Sequence, residues 1–227
     1  KMRYDLDFAK YKWLIQFMSN IKYAKENTMT TTEMAMHSIR IMRTEFEDIE
    51  YDRSDCGIMH IYKNEKDYKH AKEMNKIYKA GGLHRSEITE NMIKLKEPRL
   101  EANDLVGGMY TSYDGVGDIH KFCVNLAKKC ESMGVKFRYD TRIDWYNKAC
   151  LGLSRNMKRW RLTDRNKNDL HYNGLVICGG VYSKKIGREL GDKLPIYPVK
   201  GYSVSINIKG QEENAPKVSL LDDEAKI

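Results

Sequence analysis

The positions in this chain best suited to chemistry are backbone positions. Gly179-Gly180 follow at once on the apolar run Leu175-Val176-Ile177-Cys178. A glycine pair ending a buried strand is where a chain turns sharply and brings its backbone close to another group. A second pair, Gly107-Gly108, lies inside the apolar stretch Leu105 to Thr111. A bulge or close approach there makes Met109 and Tyr110 candidate pocket walls. The run Asp114-Gly115-Val116-Gly117-Asp118 also spaces two glycines ahead of a helix. It lacks a third glycine and a suitable preceding strand, so it is no dinucleotide phosphate loop. His60 stands alone between Met59 and Ile61, a placement that suits packing better than base catalysis. The five cysteines include no C-x-x-C pair. Neither a disulfide framework nor a metal site is expected, and a reducing, cytoplasmic setting fits.

The elements that must position these residues can be read in order. Residues Lys1 to Ile49 have apolar positions recurring at three and four, with Trp13, Phe17 and Ile21 on one face; two helices are expected, split near Glu26 to Thr32. Ile58 to Tyr62 alternates like a strand. Asn64 then caps a helix from about Glu65 to Lys79, which Gly81-Gly82 end. Ser86 to Lys96 reads as a further short helix closed by Pro98, and Leu105 to Thr111 as a strand. Ile119 to Met133 carries the stripe Phe122, Leu126, Ala127 and Cys130 of a core-facing helix, with Val135 to Tyr139 as the strand after Gly134. Trp145 to Tyr172 reads as an antiparallel excursion turning at 165–169. Leu175 to Cys178 is then a buried strand, and Tyr182 to Leu190 a helix ended by Gly191. Past Pro195 and Pro198, Tyr202, Val204, Ile206 and Ile208 alternate with Ser203, Ser205 and Asn207, as in a strand with one wet face. Val218 to Leu221 is one more short strand.

With 227 residues, 41% hydrophobic and 32% charged, the chain can bury a core without staples. No apolar run approaches the ~20 residues of a membrane-spanning helix, and no secretory signal opens the chain. The net charge of +8 comes from 40 basic residues interspersed with 32 acidic ones. Solvated faces explain it better than specific nucleic-acid binding, for which there is no recognition signature.

The order Asp114-Gly115-x-Gly117-Asp118, helix, Gly134-Val135-Lys136-Phe137, Thr141-Arg142-Ile143, Val176-Ile177-Cys178-Gly179-Gly180-x-Tyr182-Ser183 and Tyr197-Pro198-Val199-Lys200-Gly201-Tyr202-Ser203 resembles the FAD-dependent D-amino acid oxidase superfamily. The small, FAD-binding subunits of D-amino acid dehydrogenases are the nearest likeness. Upstream, Tyr51-Asp52-Arg53 and Lys96-Glu97-Pro98-Arg99-Leu100 extend it over most of the chain. The resemblance implies hydride removal from the α-carbon of a D-amino acid to FAD, with the imino acid hydrolysed to a 2-oxo acid and ammonia. Electrons would pass on to a membrane quinone or another acceptor. By the same resemblance, Ile143 meets the adenine, Gly179, Gly180 and Tyr182 pass along the cofactor, and Lys200-Gly201 lie near the flavin ring, where a cation stabilises negative charge. Met109 and Tyr110 would then be substrate-pocket walls.

The fold class expected is α/β, α+β overall: part of a Rossmann-like FAD-binding sheet interleaved with a mixed-sheet substrate domain and N-terminal helices. Residues 1–112 would form the substrate-domain part with its helices, 113–195 the FAD-binding part, and 196–227 the return into the substrate sheet. The resembled family opens on a strand and G-x-G-x-x-G, which this chain does not contain; nor does it contain the family's C-terminal part. It therefore reads as an internal portion of a longer enzyme, with a complementary N-terminal fragment as partner. Its expected location is the cytoplasm, peripheral on the inner membrane. The alternatives are a non-catalytic remnant or subunit of a split flavoprotein, and a basic module for nucleic acid or membrane surfaces.

Overall fold

The computed structural model describes residues 7–101, 104–150 and 158–222, with side chains omitted at 144–150 and 158–159. The chain packs as two units, one of Lys1–Ile21 and Lys136–Ser203, the other of Lys22–Val135 and Val204–Ile227.

The larger unit is built on a mixed sheet. Strand β1 (Ile58–Tyr62) pairs antiparallel with β3 (Gly107–Thr111) and parallel with β7 (Ser219–Asp222), while β2 (Ser86–Ile88) pairs antiparallel with β3. The order is β2-β3-β1-β7. Alternation along β1 decides which side chains go where. Met59 and Ile61 join Ile88, Leu105, Val218 and Ile93 of helix α4 (Glu90–Lys96) in one core cluster. Tyr62 and Met109 join Ala71 of α3 (Glu65–Ala80) in another. Asn64 caps α3 through Asp67 N–H at 2.8 Å. Helices α2 (Ala24–Thr44) and α5 (Ile119–Ser132) complete the unit. The buried Glu97 carboxylate accepts N–H bonds from Lys217 at 2.6 Å and Val218 at 3.3 Å, and so fixes where the chain re-enters the sheet.

The smaller unit holds α1 (Phe8–Asn20), the antiparallel strands β4 (Ile143–Cys150), β5 (Lys158–Asp164) and β6 (Asp169–Tyr172), and α6 (Ser183–Glu189). At the β5–β6 turn the Asp164 side chain accepts from Asn168 N–H and Nδ2, which draws its pKa below the ordinary carboxylate value. Residues 151–157 of the expected excursion lie outside the described residues. Among the described residues, every buried apolar side chain belongs to the larger unit.

Several elements differ from the sequence expectation. The helical break falls at Ile21–Tyr23, ahead of the expected 26–32. Ser86–Ile88 is strand, because its pairing with β3 outweighs a helix start; α4 begins only after Thr89, whose Oγ1 accepts from Met92 N–H. Val135 to Tyr139, Leu175 to Cys178 and Tyr202 to Ile208 form no strand. Residues 136–203 group with α1 in the smaller unit.

Candidate functional site

The glycine turn is held from within. Gly179 donates its N–H to Ser183 Oγ at 3.0 Å, and Tyr182 donates its own to the Gly179 carbonyl at 3.0 Å. Ser183 is buried, so this bond is shielded and the turn fixed. Gly180 has φ +54°, a left-handed conformation glycine adopts freely. A Cβ on Gly180 would meet nothing within 4 Å, and neither would one on Gly201. Both glycines therefore have open space beside the backbone, as do Gly82, Gly134, Gly174, Gly191 and Gly210. Sequence reasoning missed Ser183; the signal was a hydroxyl residue opening the helix after the double glycine.

Tyr182 also lines a cavity of about 550 Å³ in the smaller unit, walled by α1, α6 and the loop at 192–195. Trp13 forms its aromatic wall, with Phe17 stacked on it at 5.4 Å and Tyr197 tilted against it at 5.8 Å. Tyr197 donates its hydroxyl to Asp7 Oδ2 at 2.9 Å, and that bond, with the N-cap bonds from Lys10 and Ala9, lowers the Asp7 pKa. Lys12, Lys184, Lys185, Arg188 and Lys193 supply cations against one acid, Asp192. Such a lining attracts anionic groups that carry a ring.

All six residues expected to touch the cofactor lie in this smaller unit, and Met109 and Tyr110 lie in the larger one. Ile143 opens β4, is exposed, and pairs in register with Asp164. Lys200 Nζ sits 5.2 Å from the Tyr202 ring centroid. Ile143, Gly179-Gly180 and Lys200-Gly201 share no hydrogen bond with one another among the described residues. Met109 has no exposed surface and serves the core against α3. The close approaches at Gly107 and Gly108 are internal too. A Cβ on Gly107 would lie 2.6 Å from the Tyr68 ring, and one on Gly108 2.8 Å from the His60 carbonyl. Tyr110 is partly buried; its hydroxyl donates to the Cys56 carbonyl at 3.1 Å, and Lys96 Nζ lies 3.9 Å over its ring.

A second cavity, about 270 Å³, was legible only in outline. It lies where the loop 113–118 meets Tyr51 to Asp55. Ser54 and Val116 exchange two backbone bonds of 2.9 Å. Gly115 and Gly117 permit this contact, since a Cβ on either would lie 2.5 Å from Ser54 O or the Tyr51 ring. Arg53 clamps Asp55 through Nε at 3.0 Å and Nη2 at 2.8 Å, and Arg43 donates to the same carboxylate at 3.0 Å. The Arg53 bond holds the Asp55 pKa low. In the same cavity, burial pushes the Asp114 pKa up, opposed by Arg85, Arg43 and His60. A carboxyl perturbed in this way within a cavity is a candidate proton carrier. Among the described residues, no group of three metal-ligating side chains occurs, and no helix is long and apolar enough to cross a membrane.

Residues 10–226 match the family model for FAD dependent oxidoreductases. The chain is 38% identical over 230 residues to D-amino acid dehydrogenase 3 of Mesorhizobium japonicum, covering 96% of this chain and 52% of that protein. It is 32% identical over 228 residues to a D-amino acid dehydrogenase of Paramagnetospirillum magneticum, covering 97% and 52%. The fold is similar to glycine oxidase from Geobacillus kaustophilus, with TM-score 0.59, 20% identity and coverage of 69% of this chain and 42% of that one. It is likewise similar to an FAD-bound L-alpha-glycerophosphate oxidase from Mycoplasma pneumoniae, with TM-score 0.58, 12% identity and coverage of 70% and 41%. The chain spans about half the length of the curated relatives it matches.

Proposed function

The chain belongs to the family of FAD-dependent oxidoreductases, and from that membership we propose that it forms about half of an enzyme that oxidises D-amino acids. The observation that carries this reading is 38% identity, across 96% of the chain, to a protein named as a D-amino acid dehydrogenase. The products are a 2-oxo acid and ammonia, formed when water hydrolyses the imino acid. Bound FAD supplies the acceptor for the hydride leaving the substrate α-carbon.

This chain's own residues contribute binding and positioning. Gly179 and Gly180 let the backbone approach the cofactor, and Ser183 holds that turn in shape. Tyr182 supplies a wall beside it, the Ile143 backbone meets the adenine, and Lys200-Gly201 bring a cation toward the flavin ring. A positive charge there stabilises the reduced form. Tyr110 forms part of the substrate pocket, its hydroxyl fixed by the Cys56 carbonyl. The phosphate-binding turn comes from a complementary N-terminal piece. Electrons leave to a quinone or another acceptor at the membrane, where α1, with no buried residue and with Phe8, Ile15 and Phe17 exposed, gives peripheral contact.

The test is the visible absorption of flavin on the purified chain, alone and mixed with a separately expressed N-terminal piece bearing G-x-G-x-x-G. The mixture is expected to retain flavin; its absence from both samples contradicts the proposal. A second reading, a subunit that associates without catalysis, is favoured by the absence of buried apolar side chains among the described residues of the smaller unit. Flavin retained without any D-amino acid oxidation by the mixture supports that alternative.

A further inference from the structure

Arg85 stands just ahead of β2, where the pairing of Ser86 with Tyr110 and a 3.1 Å bond from Asn75 Nδ2 to the Arg85 carbonyl fix its backbone. Its side chain lines a cavity of about 340 Å³ within the larger unit, between α3 and β1. His60 and Tyr62 of β1 and His70, Met74 and Tyr78 of α3 form the other walls. The guanidinium carbon lies 5.3 Å from the Tyr78 ring centroid. Arg85 Nε and Nη2 are buried, and among the described residues neither has a hydrogen-bond partner. Leaving charged donors buried and unpaired is costly, so two of them on one edge of a cavity point to a ligand.

The edge itself selects the chemistry. The Nε–H and Nη2–H groups of a guanidinium run side by side in one plane, and two parallel donors match the two oxygens of a carboxylate. This chain uses that edge once already: Arg53 grips Asp55 through Nε at 3.0 Å and Nη2 at 2.8 Å. Arg85 carries the same two atoms at the cavity wall. Two acids lie near it. Asp67 in the lining is held by Asn64 Nδ2 at 2.8 Å, and Asp114 interacts with Arg85 only through space. Their charges oppose a dianion more than a monoanion. Tyr62, Ala71 and Met74 give the cavity an apolar side suited to a short carbon chain. Its volume falls in the range of small-molecule sites, roughly 300–1,000 Å³. We propose that this cavity binds a small organic monocarboxylate, gripped side-on by Arg85 Nε and Nη2 with its carbon chain toward Met74.

The inference does not rest on flavin chemistry, and its test contains neither flavin nor a D-amino acid. The full chain, labelled with nitrogen-15, is titrated with sodium isobutyrate replacing chloride at constant ionic strength. The Arg85 Nε–H signal, assigned through bonds from its own backbone amide, is followed beside that of Arg53. The expected result is a saturable shift at Arg85, with Kd on the order of 1 mM, and none at Arg53, whose edge is already filled. Arg85→Lys keeps the charge but loses the paired donors, and should weaken binding about tenfold or more. Met74→Trp, at a partly buried wall position, should abolish binding by filling the cavity while circular dichroism stays unchanged. Because the Arg85 signal is read in the unsubstituted chain, the inference stays testable even if a variant fails to fold. Absence of a saturable Arg85 shift, an equal shift at Arg53, or affinity indifferent to Arg85→Lys each overturn it. Inorganic phosphate saturating the same signal at a lower concentration than isobutyrate also overturns it.

Discussion

Gly180 and Asp114 carry the two sharpest tests at the level of single residues. Gly180 combines a left-handed φ with an open flank, so Gly180→Val strains the turn and fills the space assigned to the cofactor. We expect the assembled protein carrying this variant to lose most of its bound flavin, read from the visible spectrum, while the circular dichroism of the free chain is retained. Asp114 tests the second cavity. Its pKa is raised by burial, so the folded state holds its proton more tightly than the unfolded chain does. Stability from this group is therefore present at low pH and is lost as pH rises from the unfolded value, about 3.9, through the raised folded value. Asp114→Asn should raise the thermal midpoint at pH 7 and leave it nearly unchanged at pH 3. Asp55 behaves oppositely, because its folded pKa is lowered by Arg53 and its contribution is lost as pH falls. Asp55→Asn should lower the midpoint at pH 7 and matter little at pH 2.

At the scale of elements, helix α4 gives a direct check on local signals. Thr89 caps it, and Thr89→Ala should cost about 1 kcal/mol in urea denaturation. Ile93 on the same helix is fully buried, and Ile93→Ala should cost about 2–5 kcal/mol. The helix was legible but its start was not. The expected helix starts at Ser86, whereas the pairing of Ser86 with Tyr110 and of Ile88 with Gly108 claims that stretch for β2. Cross-strand pairing is long-range information that local sequence does not contain. Strands β1 and β3 were legible from alternation and glycine placement, and β7 within one residue. The runs at 135–139, 175–178 and 202–208 have equal strand character and pair with no strand among the described residues. Alternation reports which face a residue would take; a ladder needs the second strand.

For the molecule as a whole, one organising fact is the sorting of site residues. The positions assigned to the cofactor all lie in one unit and those assigned to the substrate in the other. Composition could not reveal this, because the smaller unit takes α1 from the start of the chain and 136–203 from much later. The glycine turn was visible in sequence, yet the cation-lined cavity beside it was not, since Lys12 and Arg188 meet only through the fold. The central claim is that this half-length chain holds FAD for D-amino acid oxidation when the rest of the family's length is supplied. The most direct test grafts residues 10–226 in place of the matched region of the Mesorhizobium japonicum relative and follows the visible flavin spectrum without oxygen. The account predicts bound flavin that bleaches with a D-amino acid and not with its L enantiomer. A folded graft that carries no flavin, or whose flavin no D-amino acid bleaches, would contradict it.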